Sequence, residues 1–194
     1  MGIDNWLKVV IIGGFFLNAI YTKGGLAKDR RDQLILVAAM AFTLLADTFI
    51  LLLDMSAFGV LAFCVVQTLY NFRYTNKSRV MVQVFLAVIT FAIASLAGAG
   101  VLIALGFAYA VSLLFSVTGA FMAYHKYSAP NNLMIVIGMV LFMMCDIFVA
   151  IYHTQTGLGY EARALVFRAI WIFYFPSQAL LSSSARKAIN HKDE

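Results

Sequence analysis

Charge is scarce in this chain: Asp, Glu, Lys and Arg together make up 12% of 194 residues, against 63% hydrophobic. A soluble domain of this size has too little interior to hide so much apolar surface, so lipid must solvate part of it. Nowhere is there a polar stretch long enough for a separate soluble domain, and residues 1–194 read as one transmembrane unit. Cysteine occurs only twice. Cys64 and Cys145 fall inside apolar segments and read as reduced, buried small residues without a redox or metal role. The three histidines, His125, His153 and His191, are scattered, which argues against a zinc-dependent membrane hydrolase. Residues 163–183 contain no lysine, which excludes a retinal Schiff base in the last helix. The first apolar stretch, Trp6 to Tyr21, lacks the basic leader and small-residue cleavage site of a signal peptide, and is expected to stay as a helix.

What is present is a succession of apolar runs separated by polar breaks. Seven segments of roughly 16–24 residues, the length that crosses a hydrocarbon core, lie at about 6–22, 33–53, 57–73, 80–97, 101–123, 132–152 and 163–183. The breaks are a charged loop at Thr22–Asp32, a basic one at Arg73–Arg79 and a glycine turn at Gly98-Ala99-Gly100. The last two are Ser128–Asn132 around Pro130, and His153–Tyr160. The expected fold is therefore all-α, a polytopic membrane bundle of seven transmembrane helices.

The net charge of +5 supports the same division. With seven spans, one side carries Lys23, Lys28, Arg30, Arg31, Arg73, Lys77, Arg79, Lys126, Arg186, Lys187 and Lys192, eleven of the fourteen cations. The other side has Lys8, Arg163 and Arg168. The positive-inside rule places the richer side in the cytosol, giving N-out, C-in. The cations thus serve orientation, and no nucleic-acid partner is expected.

Two acids lie inside apolar helices, Asp47 and Asp146. An ionisable group there is costly, by at least about 2.5–3.5 kcal/mol on insertion scales, and usually faces the bundle interior. The plain role for such a residue is polar glue between helices. Their contexts echo one another: Leu44-Leu45-Ala46-Asp47-Thr48-Phe49-Ile50 beside Met143-Met144-Cys145-Asp146-Ile147-Phe148-Val149. Each acid comes 14 residues after its expected helix start, Gln33 or Asn132, about 21 Å from the cytosolic end. Both carboxylates are thus expected at one depth, in the outer half of the bilayer. Gln67, Tyr70, Tyr109, Arg168 and Gln178 are candidates for the same layer. Arg168 has the chemistry to receive a lipid phosphate, or else to snorkel to the outer surface. Tyr70 and Tyr109 can equally be packing or anchoring residues, as can Trp6 and Trp171.

These residues resemble the YhhN family of membrane lysoplasmalogenases, over about residues 20–185. The resemblance rests on Ala46-Asp47, Phe58-Gly59, Phe63, Gln67-Thr68-Leu69-Tyr70, Gly119-Ala120, Met144-Cys145-Asp146, and Trp171 with Tyr174-Phe175-Pro176-Ser177-Gln178. It implies hydrolysis of the vinyl-ether bond of a lysophospholipid, with Asp47 and Asp146 at the two acidic positions. It departs from the family at Ala46, where glycine is usual, at Cys145, where serine is usual, and at Gln67, where histidine is common. Many members also carry an eighth helix.

Vinyl-ether cleavage needs one carboxylic acid to protonate the β-carbon and one carboxylate to stabilise the oxocarbenium ion and activate water. A pair of aspartates in a dry core suits that division, and no cofactor is required. The sequence does not distinguish acid from base. Other readings are a catalytically inactive lipid-binding relative, given Gln67, and a small proton-coupled transporter, since intramembrane acids also relay protons. The chain has no clear Gly/Pro-broken helices of the transporter kind. Oligomeric state, headgroup and chain preference are not readable. In a bacterium the membrane would be the cytoplasmic one.

Overall fold

Seven helices form because seven apolar stretches must satisfy their backbone hydrogen bonds internally where no water is present. The computed structural model describes residues 3–21, 30–155, 157 and 159–185. The helices are α1 (Ile3–Tyr21), α2 (Arg30–Leu51), α3 (Ser56–Tyr74), α4 (Lys77–Leu96), α5 (Val101–Lys126), α6 (Pro130–Thr154) and α7 (Tyr160–Ser183), and the described residues contain no strand. The expected segments match, with ends displaced by up to three residues. Arg30 to Asp32 belong to α2 instead of a loop, and Pro130 opens α6 at a position where its missing N–H costs nothing. Lys23, Lys28, Arg186, Lys187, His191 and Lys192 lie outside the described residues.

Six of the helices are long and apolar enough to cross a membrane by length and composition; α3 is the seventh. Its 19 residues span about 28 Å, enough for a hydrocarbon core. Its hydropathy is lowered by Gln67, Thr68, Asn71 and Arg73. Gln67 and Asn71 are fully buried, so these residues serve neighbouring helices rather than lipid. An all-helical bundle of this composition is an integral membrane protein.

The packing makes a closed ring in the order α1, α2, α3, α5, α6, α7 and back to α1, with α4 outside against α3 and α5. The peripheral place of α4 explains why Gln83 is its one buried residue. That side chain docks the helix by polar contacts: Asn71 Nδ2 donates to Gln83 Oε1 at 2.6 Å, and Gln83 Nε2 donates to Thr68 Oγ1 at 3.3 Å. Between α4 and α5, Gly98 takes the left-handed conformation (φ +83°) that the tight turn demands.

Close approaches fix the ring. A Cβ at Gly59 would sit 2.3 Å from Ile50 Cγ1 and 3.1 Å from the Ala46 carbonyl, so α3 rides directly on the part of α2 that carries Asp47. At Gly138 a Cβ would meet Leu181 at 2.9 Å, and α6 and α7 are held as tightly. At one end, Arg73 clamps three elements. Its Nε and Nη2 donate to Asp32 at 2.6 and 2.8 Å, and its Nη1 donates to Ser184 Oγ at 2.7 Å. With its side chain 2% exposed, this guanidinium needs those partners.

Gly59→Leu therefore lowers the melting temperature of detergent-purified protein by about 3–10 °C, as overpacking of a helix contact does. Gly106→Ala, with nothing within 4 Å of the new methyl, leaves it unchanged or slightly higher. Thermal unfolding followed by circular dichroism checks both.

Candidate functional site

Five of the six ring helices send a polar side chain toward one layer inside the bundle. Asp47 lies four residues before the end of α2 and Asp146 eight before the end of α6. Counted from the observed helix starts they are 17 residues beyond Arg30 and 16 beyond Pro130, at about 24–26 Å along their axes. The two depths agree to about one residue. The two carboxylates are close enough to interact electrostatically. Asp47 is buried, whereas Asp146 is partly exposed.

Each carboxylate is held by a tyrosine from another helix of the ring. Tyr174 of α7 donates its hydroxyl to Asp47 Oδ2. Tyr109 of α5 donates to Asp146 Oδ2 at 2.5 Å. Gln67 of α3 extends the second pair by donating Nε2 to Tyr109 Oη at 3.4 Å, and its Oε1 has no hydrogen-bond partner. Ser116 fixes α3 here by donating to the Gln67 carbonyl at 2.6 Å. Tyr174 is within electrostatic reach of both acids, as is the buried Cys145 beside Asp146. Aromatic rings close the layer: Phe142 packs edge-on against Phe63 and against Tyr174, with centroids 5.9 and 5.8 Å apart.

Among the described residues, no cation bonds to either carboxylate. Two full charges in one layer with only phenols for partners would be very costly in a dry interior. The arrangement suits one negative charge held by the pair, the condition that acid–base chemistry by two carboxyls exploits.

Of the seven candidates, Asp47, Asp146, Gln67 and Tyr109 come together. The other three do not join them. Tyr70 is fully buried but turned toward Met40, whose sulfur accepts from its hydroxyl at 3.5 Å, and it stacks on Tyr74. Gln178 is fully buried one turn beyond Tyr174, and neither its Nε2 nor its Oε1 has a hydrogen-bond partner. Arg168 is exposed and touches neither acid. Six residues before Tyr174, it sits about 120° around α7 from the face that bears Tyr174, which turns it out of the ring. Two other cations on that side pack on the bundle: Lys8 Nζ lies 4.6 Å from the Phe167 ring centroid and 4.4 Å from that of Trp171, and Arg163 lies 4.7 Å from that of Tyr152. Cys64 and Cys145 are free thiols, half-buried and buried.

The residue that sequence reasoning left out of the site is Tyr174. Its signal was present, since it stands in the segment Trp171 to Gln178 that carries the family resemblance. An apolar helix with three aromatic neighbours, Trp171, Phe173 and Phe175, gives no reason to single out one hydroxyl until its partner is seen.

No curated protein sequence matches this chain, and no solved structure does. The model of the YhhN family matches residues 6–185. That match takes in α1 from Trp6, the other six helices and every residue of the acid layer, and the chain belongs to the YhhN family.

Proposed function

We propose that this protein is a lysoplasmalogenase-type membrane hydrolase, cleaving the vinyl-ether bond of a lysophospholipid to a fatty aldehyde and a glycerophospho-headgroup. The observation that carries the reading is the pair Asp47 and Asp146 at nearly one depth, each accepting from a tyrosine hydroxyl, inside the ring of helices. Family membership supports a reaction of this type.

In this reading one carboxyl carries a proton and its partner is ionised. The acid delivers the proton to the β-carbon of the vinyl ether, and the α-carbon becomes an oxocarbenium ion stabilised by the nearby carboxylate. Water adds to that carbon and gives its proton to the carboxylate, forming a hemiacetal. Collapse of the hemiacetal breaks the bond between the former vinyl carbon and the glycerol oxygen, which takes a proton as the aldehyde forms. One water is consumed and the pair returns to a single shared proton. Tyr109 and Tyr174 hold the carboxyls in register and keep each from turning to another partner. In this reading the lipid chain enters between helices toward Asp146, the more exposed of the two carboxyls.

Asp47→Asn and Asp146→Asn each lower aldehyde release from a lysoplasmalogen at least about 100-fold in detergent, with the melting temperature retained. Release that survives both substitutions sinks the reading. A folded wild-type protein that releases no aldehyde would instead favour a lipid-binding relative, with Gln67 as the changed position. Tyr109→Phe and Tyr174→Phe each remove one hydroxyl bonded to a carboxylate, and lower kcat about 10- to 100-fold. Arg168→Gln leaves kcat/KM within about twofold, since its guanidinium is turned away from the acids. A tenfold rise in KM there would put the headgroup at Arg168 after all.

A further inference from the structure

A cavity of about 580 Å³ lies at the opposite end of the bundle from the aspartates, where α2, α4 and α6 begin and α3 and α5 end. By the charge distribution this is the cytosolic end. Arg73, Tyr74, Arg79, Lys126, Asn131 and Asn132 line it. Cations at this end are expected from the positive-inside rule alone, and on most membrane proteins they point into water. Here one of them, Arg79, is partly buried and keeps a donor unused.

Arg73 is spent: it is neutralised by Asp32 and tied to Ser184. Arg79 and Lys126 have no acidic partner among the described residues. Arg79 lies over the Phe115 ring, 5.2 Å from its centroid, and donates through Nη2 to Thr118. Its Nε is buried without a partner, and the buried hydroxyl of Tyr74, beside the Arg73 guanidinium, has no acceptor for its proton. Orphaned donors of this kind, in a lined cavity, call for an acceptor. The start of α6 adds to them. Ala129 at its N-cap supplies no side-chain bond, and Asn131 and Asn132 in its first turn line the cavity, the Asn132 amide already donating to the Ala123 and Tyr127 carbonyls. An uncapped helix start attracts negative charge.

We infer that this cavity is a second ligand site, specific for a phosphate-bearing anion approached from the cytosolic side and held by Arg79, Lys126, Tyr74 and the start of α6. Its volume falls in the range of small-molecule sites, and an organic phosphate is the ligand class proposed. An inner-leaflet lipid headgroup and a soluble phosphomonoester share that chemistry.

The site is separate from the acid pair. Asp32 and Asp47 are 15 residues apart on α2, and Asn132 and Asp146 are 14 apart on α6, placing the cavity about 21–22 Å from the carboxyls along those axes. In one lysoplasmalogen the phosphate and the vinyl ether are joined through the glycerol carbons, a reach of no more than about 8–10 Å at ~1.5 Å per bond. A single substrate molecule cannot fill the cavity with its headgroup and present its vinyl ether to Asp47 and Asp146. The cavity therefore holds a different molecule, and the inference stands whether or not the acid pair is a hydrolase.

The test is thermal unfolding of the purified full-length chain, titrated at constant ionic strength with sn-glycerol 3-phosphate and, separately, with dioctanoyl phosphatidylglycerol. Dioctanoyl phosphatidylcholine is the zwitterionic control. A saturable rise in melting temperature with either anion, absent with the control, is the expected result. The soluble compound acting alone identifies a cytosolic metabolite, and the lipid acting alone identifies a headgroup. In R79Q/K126Q the apparent Kd rises at least about 10-fold while the ligand-free melting temperature stays within about 2 °C of wild type. In D47N/D146N the titration is unchanged. No saturable shift in wild type, an equal shift in R79Q/K126Q, or loss of the shift in D47N/D146N would each overturn the inference.

Discussion

A carboxyl group inside a membrane bundle must find donors from its own protein, and in this molecule two of them find tyrosines. The bonds from Tyr174 to Asp47 and from Tyr109 to Asp146 join α7 to α2 and α5 to α6. Water cannot satisfy these groups in the hydrocarbon layer, so the arrangement of the helices is bound to the arrangement of the acids. Asp146 is served by α5, next to α6 in the ring, and Asp47 by α7, which touches α2 directly although α1 stands between them in the ring order.

The remaining contacts keep this layer in place. Small residues bring α3 onto α2 at Gly59 and α6 onto α7 at Gly138, where any side chain would push the pairs apart. Polar residues that lower the hydropathy of α3 are the ones that hold α4 and α5, through Asn71, Thr68 and the carbonyl of Gln67. The same chain thus uses apolar surface toward lipid and amide or hydroxyl groups toward its own interior. At the far end, Arg73 ties α2, α3 and the residue after α7 into one piece, leaving Arg79 and Lys126 with no acidic partner among the described residues.

Much of this was legible in the residues. The lengths of the apolar runs gave seven helices, since a segment of that length with few charges has no stable alternative in a bilayer. The rarity of intramembrane acids singled out Asp47 and Asp146, and counting along two helices that start on the same side placed them at nearly one depth. Gln67 and Tyr109 came from the same count. Arg168 shows where counting fails. Depth along a helix is readable from residue number, but the angle around it is fixed only by which neighbours the helix packs against. Tyr70, at a plausible depth, faces Met40 for the same reason.

By itself, then, the sequence determined the helices, their lengths, the excess of cations on one side and the presence of two costly carboxyls at matching depth, because each depends on local composition and a fixed rise per residue. The tertiary structure decided which hydroxyl meets which acid, that α4 stands outside the ring, and that Arg168 turns away while Arg79 turns in. Those facts depend on the rotation of each helix about its axis and on the order of its neighbours, and side-chain packing across the bundle sets both.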